Sequence, residues 1–152
     1  MNNIERKERA LNLFKTMMSD AKSKTAFIDN PTLSLVNNNI ITTSEAEIQE
    51  VQDFYISLAQ NLKDLQPEKD TDGTILKSFW GDAACWSCKI GLGAVVAAAV
   101  AAATIASGGF AVPAIAAALG ISEAAVTVAV AAAGGGATKL VSLLLTEICG
   151  KC

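Results

Sequence analysis

Apolar and polar residues recur with a helical beat over the first part of the chain, and past residue 89 the polar positions nearly vanish. Ile4, Leu11, Phe14, Met17, Met18 and Ala21 fall on one side of a helix over roughly residues 4–21. Asp29-Asn30-Pro31 breaks that pattern, because proline lacks a donor and biases its predecessor away from helix. Asn37-Asn38-Asn39 reads as a turn. Ser44-Glu45-Ala46-Glu47 reads as a capping box opening a second helix. Its apolar face is Ile48, Val51, Phe54, Tyr55, Leu58, Leu62 and Leu65, and Gln66-Pro67 ends it. The polar stretch 68–73 fits a linker, so residues 1–66 predict a small helical unit. Acid-aromatic groupings such as Asp53-Phe54-Tyr55 read there as a solvated helix with a core stripe rather than a site.

The second part has a different texture. Ile90 to Ala106 is apolar on every side of any helix drawn through it, so it must be buried in protein or lipid. Ser107-Gly108-Gly109 interrupts it, Pro113 suits the first turn of a short helix to Leu119, and Gly120 stops that helix. Ser122 caps a helix over Glu123–Ala133, Gly134-Gly135-Gly136 breaks again, and Thr138–Ile148 forms a last helix carrying Leu140, Leu143, Leu144 and Leu145. The expected fold is all-α: a small helical leader domain over 1–81, then a compact Ala/Gly-rich bundle of about four helices over 82–152. Gly108, Gly109, Gly120, Gly134, Gly135 and Gly136 are the expected hinges. Crossing a bilayer takes about 20 apolar residues. Leu92–Ala106 falls short of that unless Ile90 and Phe110 extend it, which favours a bundle that folds in water and inserts later.

Charge sharpens the division. With 12 basic and 15 acidic residues the chain is mildly acidic, and no basic cluster exceeds Arg6-Lys7-Glu8-Arg9, which argues against nucleic acid as a partner. From Cys85 onward only Lys89, Glu123, Lys139, Glu147 and Lys151 are charged. Lys89, Lys139 and Lys151 are candidate contacts to a membrane interface, as are Trp80 and Trp86, although the tryptophans serve equally to plug the end of the bundle. Histidine is absent, which removes the commonest general base and metal ligand, and nothing points to an enzyme or a cofactor. The charged start, Met1 to Arg9, with no apolar run behind it, does not read as a signal peptide.

All four cysteines bracket the apolar part, as Cys85-Trp86-Ser87-Cys88 and Cys149-Gly150-Lys151-Cys152. Residues three apart share a helix face. If the first and last helices of the bundle run antiparallel, the two pairs meet at one end, giving Cys85–Cys152 and Cys88–Cys149 among three possible connectivities. Paired C-x-x-C motifs also suit a four-thiolate zinc site. A redox pair is a further alternative, though no βαβ pattern surrounds either motif. Disulfides lead, and they place the mature segment outside the cytosol.

With its charged front and its Cys85-x-x-Cys88 opening onto a glycine-rich apolar body, the region 82–152 resembles halocin-C8-like bacteriocins. The opening Cys-x-Ser-Cys-Lys and closing Ile-Cys-x-x-Cys are similar to saposin-like membrane-perturbing peptides. Residues Phe14 to Ile41, with Ala26-Phe27-Ile28-Asp29-Asn30-Pro31, resemble nitrile-hydratase-type leader peptides. These resemblances imply a cytoplasmic precursor and a secreted antimicrobial peptide that permeabilises target-cell membranes. The implied partners are a target lipid bilayer, a leader-processing protease, an exporter, and an immunity protein or receptor. Cleavage is expected near Gly81-Asp82, at the seam between the two compositions. The alternative is a small integral membrane protein, holin-like or an immunity protein, with a soluble N-terminal domain.

Overall fold

The computed structural model describes residues 2–66, 71–73, 83–105 and 109–150. Among them the fold is all-helical, in nine helices: α1 (Asn3–Ser19), α2 (Ala21–Asp29), α3 (Pro31–Asn37), α4 (Thr43–Ala46), α5 (Gln49–Lys63), α6 (Ala83–Ala102), α7 (Val112–Leu119), α8 (Glu123–Ala133) and α9 (Ala137–Cys149). The apolar segment supplies four of these, α6 to α9, as its glycine punctuation predicts.

The N-terminal segment is more finely divided than its periodicity suggests. Asp20 ends α1 and its carboxylate also accepts from the Lys22 N–H, so α2 starts at once at a corner. Asn30 does the same for α3, with Pro31 in the first turn where its missing N–H is harmless. The sequence Asp29-Asn30-Pro31 therefore ends one helix, as expected, and starts the next at once. The capping box is displaced from the expected Ser44 and Glu47 to Thr42 and Glu45. The Glu45 N–H donates to Thr42 Oγ1 at 3.1 Å and the Thr42 N–H to Glu45 Oε1 at 2.9 Å. Thr42 is the residue left extended after the Asn39 turn, which has φ 56°, so its hydroxyl faces the free amides. The helix opened there is the short α4, and α5 begins separately after Ile48.

Helix α6 is the axis of the molecule. It starts at Ala83, ahead of the apolar run, and reaches 20 residues, so the Leu92–Ala106 estimate of its length was too short. Among the described residues it is the one helix long and apolar enough to cross a membrane, with a mean hydropathy of 1.7, and 61% of that span is buried. Helices α1 and α5 lie along it from the N-terminal side, α9 from the C-terminal side, and α5 also touches α9. One continuous core results. It joins Ala10, Phe14, Met17, Phe54, Tyr55 and Leu58 of the front half to Ile90, Ala94, Ala97, Leu140, Leu144 and Leu145 of the back half. A helix without a polar face needs apolar neighbours all round, and the amphipathic helices α1 and α5 provide the missing ones. Helix α7 packs on α6 and α8, and α8 on α7 and α9; neither touches α1 to α5.

Candidate functional site

The chemistry-bearing features converge on α6. Its first turns carry Cys85 and Cys88, and Cys88 is disulfide-bonded to Cys149 at the last residue of α9, with a Cα–Cα distance of 5.8 Å. The start of α6 thus meets the end of α9, the antiparallel arrangement that a nested pairing needs. Cys85 is disulfide-bonded too, and its sulfur lies 3.5 Å from the Gly150 carbonyl oxygen. Its expected partner, Cys152, lies outside the described residues. Lys7, Glu8 and Leu11 of α1 line the same cleft as Cys88 and Cys149, so the N-terminal segment reaches the bridge itself. Among the described residues no group of three or more His, Cys, Asp or Glu is placed to hold a metal ion.

Next to the bridge, Trp86 stacks on Phe14 of α1, ring centroids 6.3 Å apart and planes 7° apart. The Lys89 ammonium stands 5.9 Å from the Trp86 ring centre. In this arrangement Trp86 closes the clamped end of the bundle against α1, while Lys139 stands exposed at the start of α9. Trp80, Gly81, Asp82 and Lys151 lie outside the described residues.

Two turns further along, α6 carries Gly91 and Gly93, residues that each weaken a helix by about 1 kcal/mol relative to alanine. Their surroundings explain them. A Cβ on Gly91 would stand 3.0 Å from the Arg6 carbonyl oxygen, and one on Gly93 would overlap the Phe54 ring and come to 3.0 Å from the Tyr55 hydroxyl. The two notches let α1 and α5 approach the α6 backbone. Through the second notch the Tyr55 hydroxyl donates to the Ile90 carbonyl and accepts from the Ala94 N–H at 3.0 Å. It therefore sits between the two ends of one helical rung. Tyr55 is fully buried, its ring edge-on to Phe54. Burial pushes its pKa well above the ordinary phenol range, despite the hydrogen bond from the Ala94 N–H and the nearby Arg6 charge.

Arg6 holds the other side. Its guanidinium donates to the Ile40 carbonyl at 3.1 Å and to Glu45 Oε1 at 3.1 Å, which ties α1 to the loop before α4. Burial alone would raise the Glu45 pKa. Hydrogen bonds from the Thr42 N–H and Arg6, with the Arg6 charge, outweigh that and hold it below its usual value.

The expected hinge glycines sit at helix ends. Gly120 (φ 67°) and Gly134 (φ 62°) close α7 and α8 in the left-handed conformation, Gly135 follows at φ 89°, and Gly136 precedes α9. Gly109 lies between helices, its carbonyl accepting from the Ile105 N–H at 2.9 Å. Gly108 lies outside the described residues. The hairpin between these joints is apolar, with Val128 69% exposed, and Glu123 is its charged exception.

Sequence reasoning found the cysteines and the joints and placed Tyr55 on a core face, but missed its hydrogen bonds to α6, Gly91, Gly93 and the Arg6–Glu45 pair. A glycine pair two apart in the middle of a helical run was the available signal, since such residues need a packing reason. Compared with known proteins, the chain matches no family model, no curated protein and no solved structure.

Proposed function

We propose that this chain is the precursor of a secreted bacteriocin, in which residues 1–81 are a leader and residues 82–152 an oxidised peptide that permeabilises target-cell membranes. The observation that carries this reading is the casing of α6. A helix of bilayer-spanning length is kept in water by two amphipathic helices from a separate, charged segment, and is clamped to α9 by Cys88–Cys149. The charged casing is what sets α6 apart from a resident membrane helix, which has no need of one.

On this reading, cleavage near Gly81-Asp82 separates the casing from the peptide. Without α1 and α5 the apolar faces around Ile90, Ala94 and Ala97 need new cover, and hydrocarbon supplies it at roughly 25 cal/mol per Å² of area removed from water. The α7–α8 hairpin moves on its glycine joints to let α6 enter. Lys89, Lys139 and Lys151 hold the interface of an anionic bilayer at about 1 kcal/mol each, so apolar burial rather than charge drives insertion. The exporter and leader protease act before release, and the producer needs an immunity protein or equivalent protection.

The length and hydropathy of α6 also favour a second reading, an integral membrane protein of the holin or immunity type. The two part on one experiment. The oxidised full chain, given a protease site within residues 67–82, is added to dye-loaded vesicles before and after cutting. Leakage after the cut alone is expected. Absence of leakage by the cut chain at any concentration, together with uncut chain in the producer's membrane fraction, would establish the second reading instead.

A further inference from the structure

We propose that the N-terminal segment is an oxidation template: α1 and α5 set the register of α6 on α9, so that Cys88 meets Cys149 before the segment is removed. The need for a template lies in the C-x-x-C spacing. In an antiparallel pair of helices, sliding α6 past α9 by three residues, about 4.5 Å, brings Cys85 opposite Cys149 in place of Cys88. The α6 surface offers little resistance to such a slide. Beyond Ile90 it is glycine, alanine and valine but for Leu92, residues whose ridges are shallow, and it is apolar on every side there.

Helix α5 reads both partners. Tyr55 is fixed to a single rung of α6, between the Ile90 carbonyl and the Ala94 N–H, in a notch that Gly93 alone opens. A slide of α6 by three residues puts a side chain where that notch was. The same helix faces α9: Phe54 and Leu58 share a cleft with Trp86 and Lys89 of α6 and with Leu145 and Thr146 of α9. Helix α1 adds a second fixed point, since the Gly91 notch receives the backbone of Arg6 and Lys7, and its Leu11 stands at the cleft holding Cys88 and Cys149. Two notches and one hydroxyl therefore define the depth at which α6 sits, and α5 transmits that depth to α9.

The chemistry is ordinary exchange with a disulfide oxidant. The Cys88 thiolate attacks oxidised glutathione and expels one glutathione thiolate. The Cys149 thiolate then attacks the Cys88 sulfur of the mixed disulfide and expels the second. Two protein thiols lose two electrons and two protons, and one oxidised glutathione becomes two reduced ones. The template supplies only the encounter of the right two sulfurs. Removal of the segment accordingly follows oxidation, whatever the released product then does.

The test uses the full chain, reduced and unfolded in denaturant, then diluted into a glutathione redox buffer. Cutting at Trp86 and at Lys89, Lys139 and Lys151 separates all four cysteines for mass mapping. The unaltered chain should regain Cys88–Cys149 as the dominant pair. The double variant Phe54→Ala/Tyr55→Phe leaves every residue after 82 unchanged, and its Cys88–Cys149 share should fall toward the roughly one-third expected of random choice among three connectivities. Gly93→Val, an intact template that cannot seat, should do the same. If either precipitates, Tyr55→Phe alone decides, through severalfold slower formation of the correct pair. Random pairing in the unaltered chain, or unchanged fidelity and rate in these variants, overturns the proposal.

Discussion

At the scale of single residues, Tyr55 is the most informative side chain. It is the only tyrosine in the sequence, so its ionisation can be followed by absorbance without interference. Its hydroxyl is buried on the α6 backbone and its folded pKa is raised, so the folded state binds this proton more tightly than the unfolded chain does. Stability is then fully present below the ordinary tyrosine pKa of about 10 and falls as pH rises beyond it. The expected result is that phenolate absorbance and loss of helical circular dichroism appear together on alkaline titration. Phenolate formation while the helix signal is intact would contradict that burial. Tyr55→Phe removes two hydrogen bonds at about 1 kcal/mol each and should lower denaturant stability accordingly. The glycines separate into two kinds on the same reasoning. Gly93→Ala adds a methyl group against Phe54 and should destabilise by about 1–3 kcal/mol, although alanine is the better helix former. Gly136→Ala, at a negative φ with no neighbour closer than 3.6 Å to the added carbon, should be neutral within about 0.5 kcal/mol in the same denaturation measurement.

Among the helices, the caps decide where the N-terminal segment turns. Asn2, Asp20, Asn30 and Thr42 each accept from a backbone amide at a helix start, and together they fold one polar stretch so that α1, α4 and α5 meet α6. Glu45 has two duties, closing the α4 capping box and receiving Arg6 from α1. Its lowered pKa fixes the sign of its acid response. The contribution is complete above the usual carboxyl value of 4.5 and is lost as pH falls through the lower folded value. Glu45→Gln should therefore be less stable than the unaltered chain at neutral pH, and the gap measured by urea denaturation should close in acid. A gap independent of pH would assign the loss to the cap alone. These caps were partly legible: a capping box was expected, but at Ser44 and Glu47, two residues beyond its place at Thr42 and Glu45. That place depends on where the Asn39 turn releases the chain, and the turn is set by Ile40 and Ile41 entering the core.

For the whole molecule, the clamp and the casing act at opposite ends of the problem. Cys88–Cys149 closes a loop across 61 residues, which is expected to contribute about 4 kcal/mol by restricting the unfolded chain. Reduction should lower the unfolding midpoint by an amount of that order, and a midpoint insensitive to reductant would show that the casing alone holds α6 and α9 together. The α7–α8 hairpin is held by fewer large side chains, Ile115 and Val126 being fully buried there. Ile115→Ala should cost about 2–5 kcal/mol if the hairpin unfolds with the rest. Hydrogen exchange that is accelerated in α7 and α8 alone would instead show that this hairpin opens independently of α6.

The four apolar helices of the back half, the glycine joints at Gly120 and Gly134 to Gly136 and the pairing of Cys88 with Cys149 were readable along the chain. Each rests on local periodicity, on backbone conformations that favour one residue type, or on a spacing that repeats. What covers α6 was not readable. Its faces are equally apolar in sequence, and whether they meet lipid, themselves or another segment depends on residues about 40 and 85 positions upstream. Only the tertiary structure brought Tyr55 and Arg6 to Gly93 and Gly91. It does so because complementary shape between distant segments leaves no periodic trace in either one.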